Sequence, residues 1–194
     1  LLNMKKIVFD IETKNTFAQA GTRDPIGLDL SVVSIYEYAN DRYTSYLEAD
    51  LPKLWPILEA ADLIIGFNSN YFDIPILNKY YPGDLTKIKS LDLLEEIKNS
   101  LGKRIGLDSV ASATLGHSKS ADGLAAVAWW AEGKVEEVIK YCEQDVRVTK
   151  EVYDYAVANK LLKYKSVTEV LSFPIDLSAY EKVEAKAINY TLPF

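Results

Sequence analysis

Apolar residues crowd residues 5–11, where Ile7, Val8, Phe9 and Ile11 leave charge only towards the two ends, and this predicts a buried strand. Residues 30–38 and 42–47 are rich in β-forming side chains and are split by Ala39-Asn40-Asp41, which predicts a hairpin. Residues 52–61 read as a helix, 62–67 as a short buried strand and 71–80 as a second helix. A fifth strand is expected at 87–91, leading into a helix across 92–101. Further helices are expected at 107–115, 123–131 and 134–159. The last is the clearest element. Val135, Val138, Ile139, Cys142, Val146, Thr149, Val152 and Ala156 recur at three- and four-residue steps and make one apolar stripe. Residues 15–29, rich in Gly, Thr, Asp and Pro, read as a long loop, and such loops inside compact domains are often functional.

This order of strands and helices implies one α/β domain over residues 1–162, a mixed central sheet flanked by helices. Residues 163–194 differ, with β-type residues, Pro174, Pro193 and no long helical period, and read as an extended C-terminal arm packed on that domain. Its end, Thr191-Leu192-Pro193-Phe194, reads as a closing edge strand.

Composition narrows the class. At 194 residues, 48% hydrophobic and 26% charged, the chain matches a globular domain with a sizeable core and excludes a disordered one. No stretch approaches the ~20 consecutive apolar residues of a membrane span, and the N-terminus lacks the pattern of a signal peptide. Leu1-Leu2-Asn3 precede Met4, the only methionine, and read as an added or upstream segment. Cys142 is the single cysteine, which excludes an intramolecular disulfide and a thiolate metal cage; a cytoplasmic setting is expected. The net charge of −6 argues against a protein that coats nucleic acid. An enzyme that handles one strand end stays compatible, because bound divalent cations reverse the local sign.

Three short motifs concentrate the chemistry: Phe9-Asp10-Ile11-Glu12-Thr13, Gly66-Phe67-Asn68-Ser69-Asn70-Tyr71-Phe72-Asp73 and Tyr141-Cys142-Glu143-Gln144-Asp145. Asp10 and Glu12 lie two apart on a strand and so face one side, the side of Val8. Desolvated and unpaired, the two carboxylates cost several kcal/mol, a cost that a hard divalent cation removes; the alternative is a strand end where both meet water. Asp73 shares its helical face with Ile76, Leu77 and Tyr80, so it is either an N-cap or a ligand. Gly66 reads as a site of close backbone approach and Asn68 as a residue that orients the loop. Tyr141 and Asp145 are one turn apart beside the apolar stripe, where a phenol can hold a water next to a carboxylate–metal pair. Packing of the Tyr141 ring with a solvated Asp145 is the alternative. Glu136, Glu137, Glu143 and Asp154 read as a solvated helix face, and Cys142 as a buried thiol.

Jointly these residues resemble the DEDD exonuclease superfamily, in its tyrosine-bearing (DEDDy) branch. Asp-Ile-Glu-Thr is similar to the first motif of that family, Asn68-x-x-x-Phe72-Asp73 to the second and Tyr141-x-x-x-Asp145 to the third. The similarity runs from about residue 5 to 159, including Leu91-Asp92-Leu93-Leu94 and Leu107-Asp108-Ser109-Val110, and is closest to the proofreading domains of family B DNA polymerases and stand-alone relatives. The other branch carries His where Tyr141 stands, and the one histidine, His117, lies far upstream.

The resemblance implies an RNase H-like fold and 3′→5′ hydrolysis of phosphodiester bonds by two divalent ions, Mg²⁺ or Mn²⁺, roughly 3.5–4 Å apart. Asp10, Glu12, Asp73 and Asp145 are the implied metal ligands, and with Tyr141 the catalytic residues. One ion, held by Asp10, Asp73 or Asp145, activates the attacking water; the other, near Asp10 and Glu12, stabilises the leaving 3′ oxygen. Tyr141 orients the water, since a phenol of pKa about 10 is no free base at neutral pH. The products are nucleoside 5′-monophosphates. Thr13, Asn68, Phe72 and Lys119 are candidate substrate contacts. Phe17 and Arg23 lie beside them in sequence, Lys98, Lys103, Arg104 and Lys119 form a basic island, and Trp129-Trp130 offer stacking surfaces. The expected partner is a nucleic-acid 3′ end, single-stranded DNA before RNA, and the chain is expected to stand alone or work with a polymerase or repair partner. The alternatives are a 3′→5′ exoribonuclease, an RNase H-type endonuclease and a catalytically idle binding or docking module. The presence of all four acids and Tyr141 speaks against the last.

Overall fold

A computed structural model describes residues 4–116 and 123–182. Five strands form the main sheet in the order β3-β2-β1-β4-β5: β1 (Lys6–Thr13), β2 (Leu30–Glu37), β3 (Arg42–Leu47), β4 (Leu63–Gly66) and β5 (Ser90–Asp92). β1 to β3 are antiparallel neighbours, while β4 and β5 run parallel to β1, so the sheet is mixed as expected.

Alternation along β1 sorts its side chains between two cores. Ile7, Phe9 and Ile11 pack with α2 (Leu51–Glu59) and α3 (Asp73–Asn78). Val8 packs on the other face with Val146 and Val152 of α7 (Val135–Asn159). Asp10 and Glu12 have the parity of Val8 and therefore lie under α7. The α7 face is completed by α4 (Leu93–Leu101), α5 (Leu107–Leu115) and α6 (Gly123–Ala131). At its start β1 is anchored by Lys6, whose ammonium lies 5.0 and 5.1 Å from the Tyr38 and Tyr153 ring centres. The same ammonium donates to the Tyr153 hydroxyl at 3.1 Å and pairs with Glu181 at 3.1 Å.

The differences from the sequence reading have local causes. The loop at residues 15–29 contains a helical turn, α1 (Phe17–Ala20), and a 3-10 turn at Pro25–Gly27. Thr16 and Gln19 cap α1 reciprocally, a Thr-x-x-Gln signature that was present in the sequence. α3 begins at Asp73, not at residue 71, because Pro75 has no N–H to donate and belongs in the first turn. Asp84 caps a 3-10 turn at Leu85–Lys87, which shifts β5 to Ser90–Asp92. The expected arm is, as far as it is described, a hairpin of β6 (Leu161–Lys165) and β7 (Val170–Pro174) packed on α5. The expected division between 162 and 163 falls inside β6, and the edge strand at 191–194 lies outside the described residues. Among the described residues no helix is long and apolar enough to cross a membrane.

Candidate active site

Pairing between β1 and β4 ends at Val8 opposite Ile65, whereas β2 stays paired to β1 as far as Thr13. A register shift between Glu12 and Thr13 marks the strand end, a place where bulges commonly re-aim side chains beside active sites. One edge of β1 is therefore open beyond Val8, and the Ile11 N–H on that edge donates to Asp73 Oδ1 at 3.2 Å. Asp73 is the first residue of α3 and not its cap; Phe72 occupies the cap position without a side-chain bond.

The segment between β4 and α3 is built for close approach. A Cβ on Gly66 would come within 2.5 Å of the Ser69 Cβ. Asn68 takes the left-handed conformation, φ 63°, which asparagine adopts more readily than most residues. Buried Asp92, the N-cap of α4, accepts from Asn68 N at 2.8 Å and Asn70 N at 3.0 Å. Because the Gly66 clash is with another residue's Cβ and not a flexible tip, Gly66→Ala should lower stability by about 1–3 kcal/mol. Chemical denaturation checks this; an unchanged midpoint would mean that the segment relaxes freely.

α7 delivers the third motif. Tyr141 and Asp145 line one cleft of about 470 Å³ with Asp10, Glu12 and Asp73. Carboxylate oxygens of Asp10, Glu12 and Asp145 lie within 4.8 Å of one another. Where the sequence reading allotted Glu12 to a separate ion, the geometry groups it with Asp145. Burial, first of all, raises the proton affinity of Asp10, with Asp73, Asp145 and Glu12 adding to it. Burial likewise raises Glu12, followed by Asp145 and Asp73. Asp73 is pushed up to about 7, mainly by burial, against the lowering effect of the Ile11 N–H. Asp145 rises to about 6 through burial and Asp108, while the Tyr141 hydroxyl works the other way. Among the described residues no Lys or Arg forms an ion pair with any of the four. Converging, poorly solvated, uncompensated oxygen donors fit a hard divalent cation. Tyr141 is held above its ordinary pKa by burial, then by Asp145, Glu12 and Asp10, so it is a neutral phenol. Trp129 packs edge-on against its ring at 6.1 Å between centres.

These shifts set a pH dependence. A carboxyl whose folded pKa lies above its unfolded value contributes stability below the unfolded pKa and loses it as pH rises through the folded one. For Asp73 that window runs from 3.8 to about 7. Melting temperature in chelator should therefore fall as pH rises across this window, and Mn²⁺ should reduce the slope by binding the ionised form. A metal-free melting temperature that climbs through this range would contradict the arrangement.

Of the candidate substrate contacts, Thr13, Asn68 and Phe72 line the cleft, and Lys119 lies outside the described residues. Phe17, Leu124 and Val127 line it too, with Phe17 edge-on to Phe72 at 6.2 Å. Phe17 had been noted from its loop; Leu124 carried no signal beyond an apolar residue early in a helix. From the basic island Arg104 reaches the cleft wall, donating to Asn68 Oδ1 at 2.7 Å, whereas Lys103 lies over the Tyr164 ring. Arg23 sits beside Phe17 at a separate depression. Trp130 is half-buried under Lys14 and Trp129 packs on Tyr141, so both rings are engaged within the protein. Glu143 is held by Ser45 at 2.8 Å, and Asp154 by Tyr38 at 2.6 Å and Lys150 at 2.8 Å. Asp92 was missed as a site residue, although an aspartate just ahead of an apolar helix is a legible cap.

A mixed sheet with an acidic cleft at the open edge of its central strand places the protein among the nuclease-type α/β folds. The chain belongs to the RNase_H superfamily, whose model RNase_H_2 matches residues 7–157. In fold it is similar to the family B DNA polymerase from the hyperthermophilic archaeon Pyrobaculum calidifontis, with a TM-score of 0.58 and 17% identity. The match covers 79% of this chain and 24% of the polymerase, so the chain spans about a quarter of that protein's length. No curated protein matches the chain in sequence. The expected RNase H-like fold is borne out, and family and cleft together support a nucleic-acid hydrolase.

Proposed function

We propose that the protein is a metal-dependent 3′→5′ exonuclease acting on single-stranded or frayed DNA ends and releasing nucleoside 5′-monophosphates. The observation that carries this reading is the convergence of Asp10, Glu12 and Asp145 within 4.8 Å, in the cleft that also holds Asp73 and Tyr141. Asp10, Glu12, Asp73 and Asp145 would hold two divalent ions, Mg²⁺ or Mn²⁺, which supply charge neutralisation and activation of water and leaving oxygen. The chain's own part is positioning. Tyr141, neutral at working pH, orients the attacking water by hydrogen bonding. Phe17 and Phe72 form an apolar wall against which a terminal base stacks, and Asn68 presents its amide beside them. The net charge of −6 disfavours a broad electrostatic grip on a duplex, which favours a strand end. We place the enzyme in the cytoplasm, with a polymerase or repair protein as its partner.

The test is an end-labelled linear strand, a blunt duplex, a mismatched 3′ terminus and a circular single strand, each incubated with Mn²⁺ or Mg²⁺ and resolved by length. Stepwise shortening of the linear strand and mismatched end, with the circle intact, is expected. Few phosphate contacts imply a shallow salt dependence, a log–log slope on the order of −1 to −3. A cut circle means an endonuclease, and faster loss of RNA than of DNA ends means an exoribonuclease. Binding without cleavage means an idle module.

A further inference from the structure

Asp10 rests on a buried thiol. Cys142 Sγ lies 3.3 Å from the Asp10 carbonyl oxygen and 3.6 Å from Asp10 Oδ2, and Cys142 is fully buried. Around it the sheet carries a row of polar side chains. Asp10, Ser34 and Ser45 stand in register across β1, β2 and β3. Ser34 Oγ and Ser45 Oγ are 2.8 Å apart, and Ser45 donates to Glu143 Oε1 at 2.8 Å. The Glu143 carboxylate thus fixes Ser45 as a donor, and Ser45 in turn accepts from Ser34. Ser34 also lies against the thiol. With these hydroxyl donors committed along the row, the S–H finds its acceptors on Asp10. Oδ1 of Asp10 accepts none of the hydrogen bonds among the described residues.

We propose that Cys142, braced by Ser34, is a positioning residue of the metal site: its single S–H, shared between the Asp10 carbonyl oxygen and, over a longer contact, Oδ2, turns Oδ2 towards the helix and leaves Oδ1 for the ions. The inference rests on the reading of Asp10 as a metal ligand. A thiol suits this task because it donates without charge. A Lys or Arg at the same place would orient the carboxylate but would also compete with the cation. Groups that orient metal ligands are typically worth about 10–100-fold in affinity or activity, and a weak S–H donor belongs at the low end.

The test uses the full chain with Cys142→Ala, Cys142→Ser and Ser34→Ala, each followed by Mn²⁺ calorimetry, thermal melting in chelator and steady-state cleavage. Cys142→Ala should weaken Mn²⁺ binding about tenfold and lower kcat with KM unchanged. Cys142→Ser, which keeps a donor, should recover most of the affinity, and Ser34→Ala should show a smaller loss. Wild-type Mn²⁺ affinity in a folded Cys142→Ala protein overturns the proposal. Equal losses in the Ala and Ser variants overturn it as well, because volume and not the donor would then matter. Should Cys142→Ala fail to fold, Ser34→Ala decides, and unchanged Mn²⁺ affinity there overturns it. If the wild type binds no Mn²⁺, the metal site itself is wrong and the proposal falls with it, an outcome distinct from all the others.

Discussion

In Asp10→Ala, the heat of Mn²⁺ binding should vanish and cleavage of a labelled strand should fall by about three orders of magnitude, equivalent to about 4 kcal/mol of transition-state stabilisation. Asp10 is singled out because Asp73, Asp145 and Glu12 all act on it, in that order after burial. The same substitution should raise the melting temperature in chelator, since it relieves like-charge repulsion around a desolvated centre. The two readouts move in opposite directions, and general damage to the fold cannot produce that pair. Undiminished Mn²⁺ binding would remove Asp10 from the site.

Tyr141→Phe should lower turnover by about 10²–10⁴-fold, the usual worth of a group that positions or transfers a proton. Melting temperature and Mn²⁺ affinity should stay at wild-type values. The phenyl ring keeps the edge contact with Trp129 and loses only the hydroxyl. Burial and the neighbouring carboxylates, Asp145 first, keep that hydroxyl protonated, so the wild-type rate profile should show no limb due to ionisation of Tyr141. Cleavage at the wild-type rate by the Phe variant would reduce Tyr141 to a packing residue.

Much of this was legible because it depends on local periodicity. The two-residue step from Asp10 to Glu12, the apolar stripe of α7 and the four-residue step from Tyr141 to Asp145 each follow from a single element's repeat. Phe17 and Leu124 meet at one cleft only through tertiary packing, and no local pattern announces that. Apolar spacing alone extends α3 back to residue 71, whereas the missing N–H of Pro75 starts it at Asp73. Asp73 itself was read as a cap or a ligand, and the third possibility, a bond to a distant strand, needs the topology. Cys142 reads as a buried thiol from its place on the stripe, and it is buried. Its contact with Asp10 depends on the register of β1 against α7, which sequence spacing does not encode.

The central strand is clamped at both ends, by the tyrosine-lined pocket around Lys6 at its start and by the Asp73 carboxylate at Ile11 near its finish. A strand held in this way behaves as a beam on two supports, with Asp10 mounted between them, Glu12 one residue past the second, and Asp73 itself the second support. The four carboxylates are brought together by the fold against the mutual repulsion of their ionised forms. An arriving cation therefore finds its ligands already gathered, so little of its binding energy is diverted to moving the protein. Selectivity follows from the same stiffness. A rigid cradle favours ions whose size it already matches, and a frame slackened at Lys6, far from the cleft, should become less discriminating between Mg²⁺ and the larger Ca²⁺.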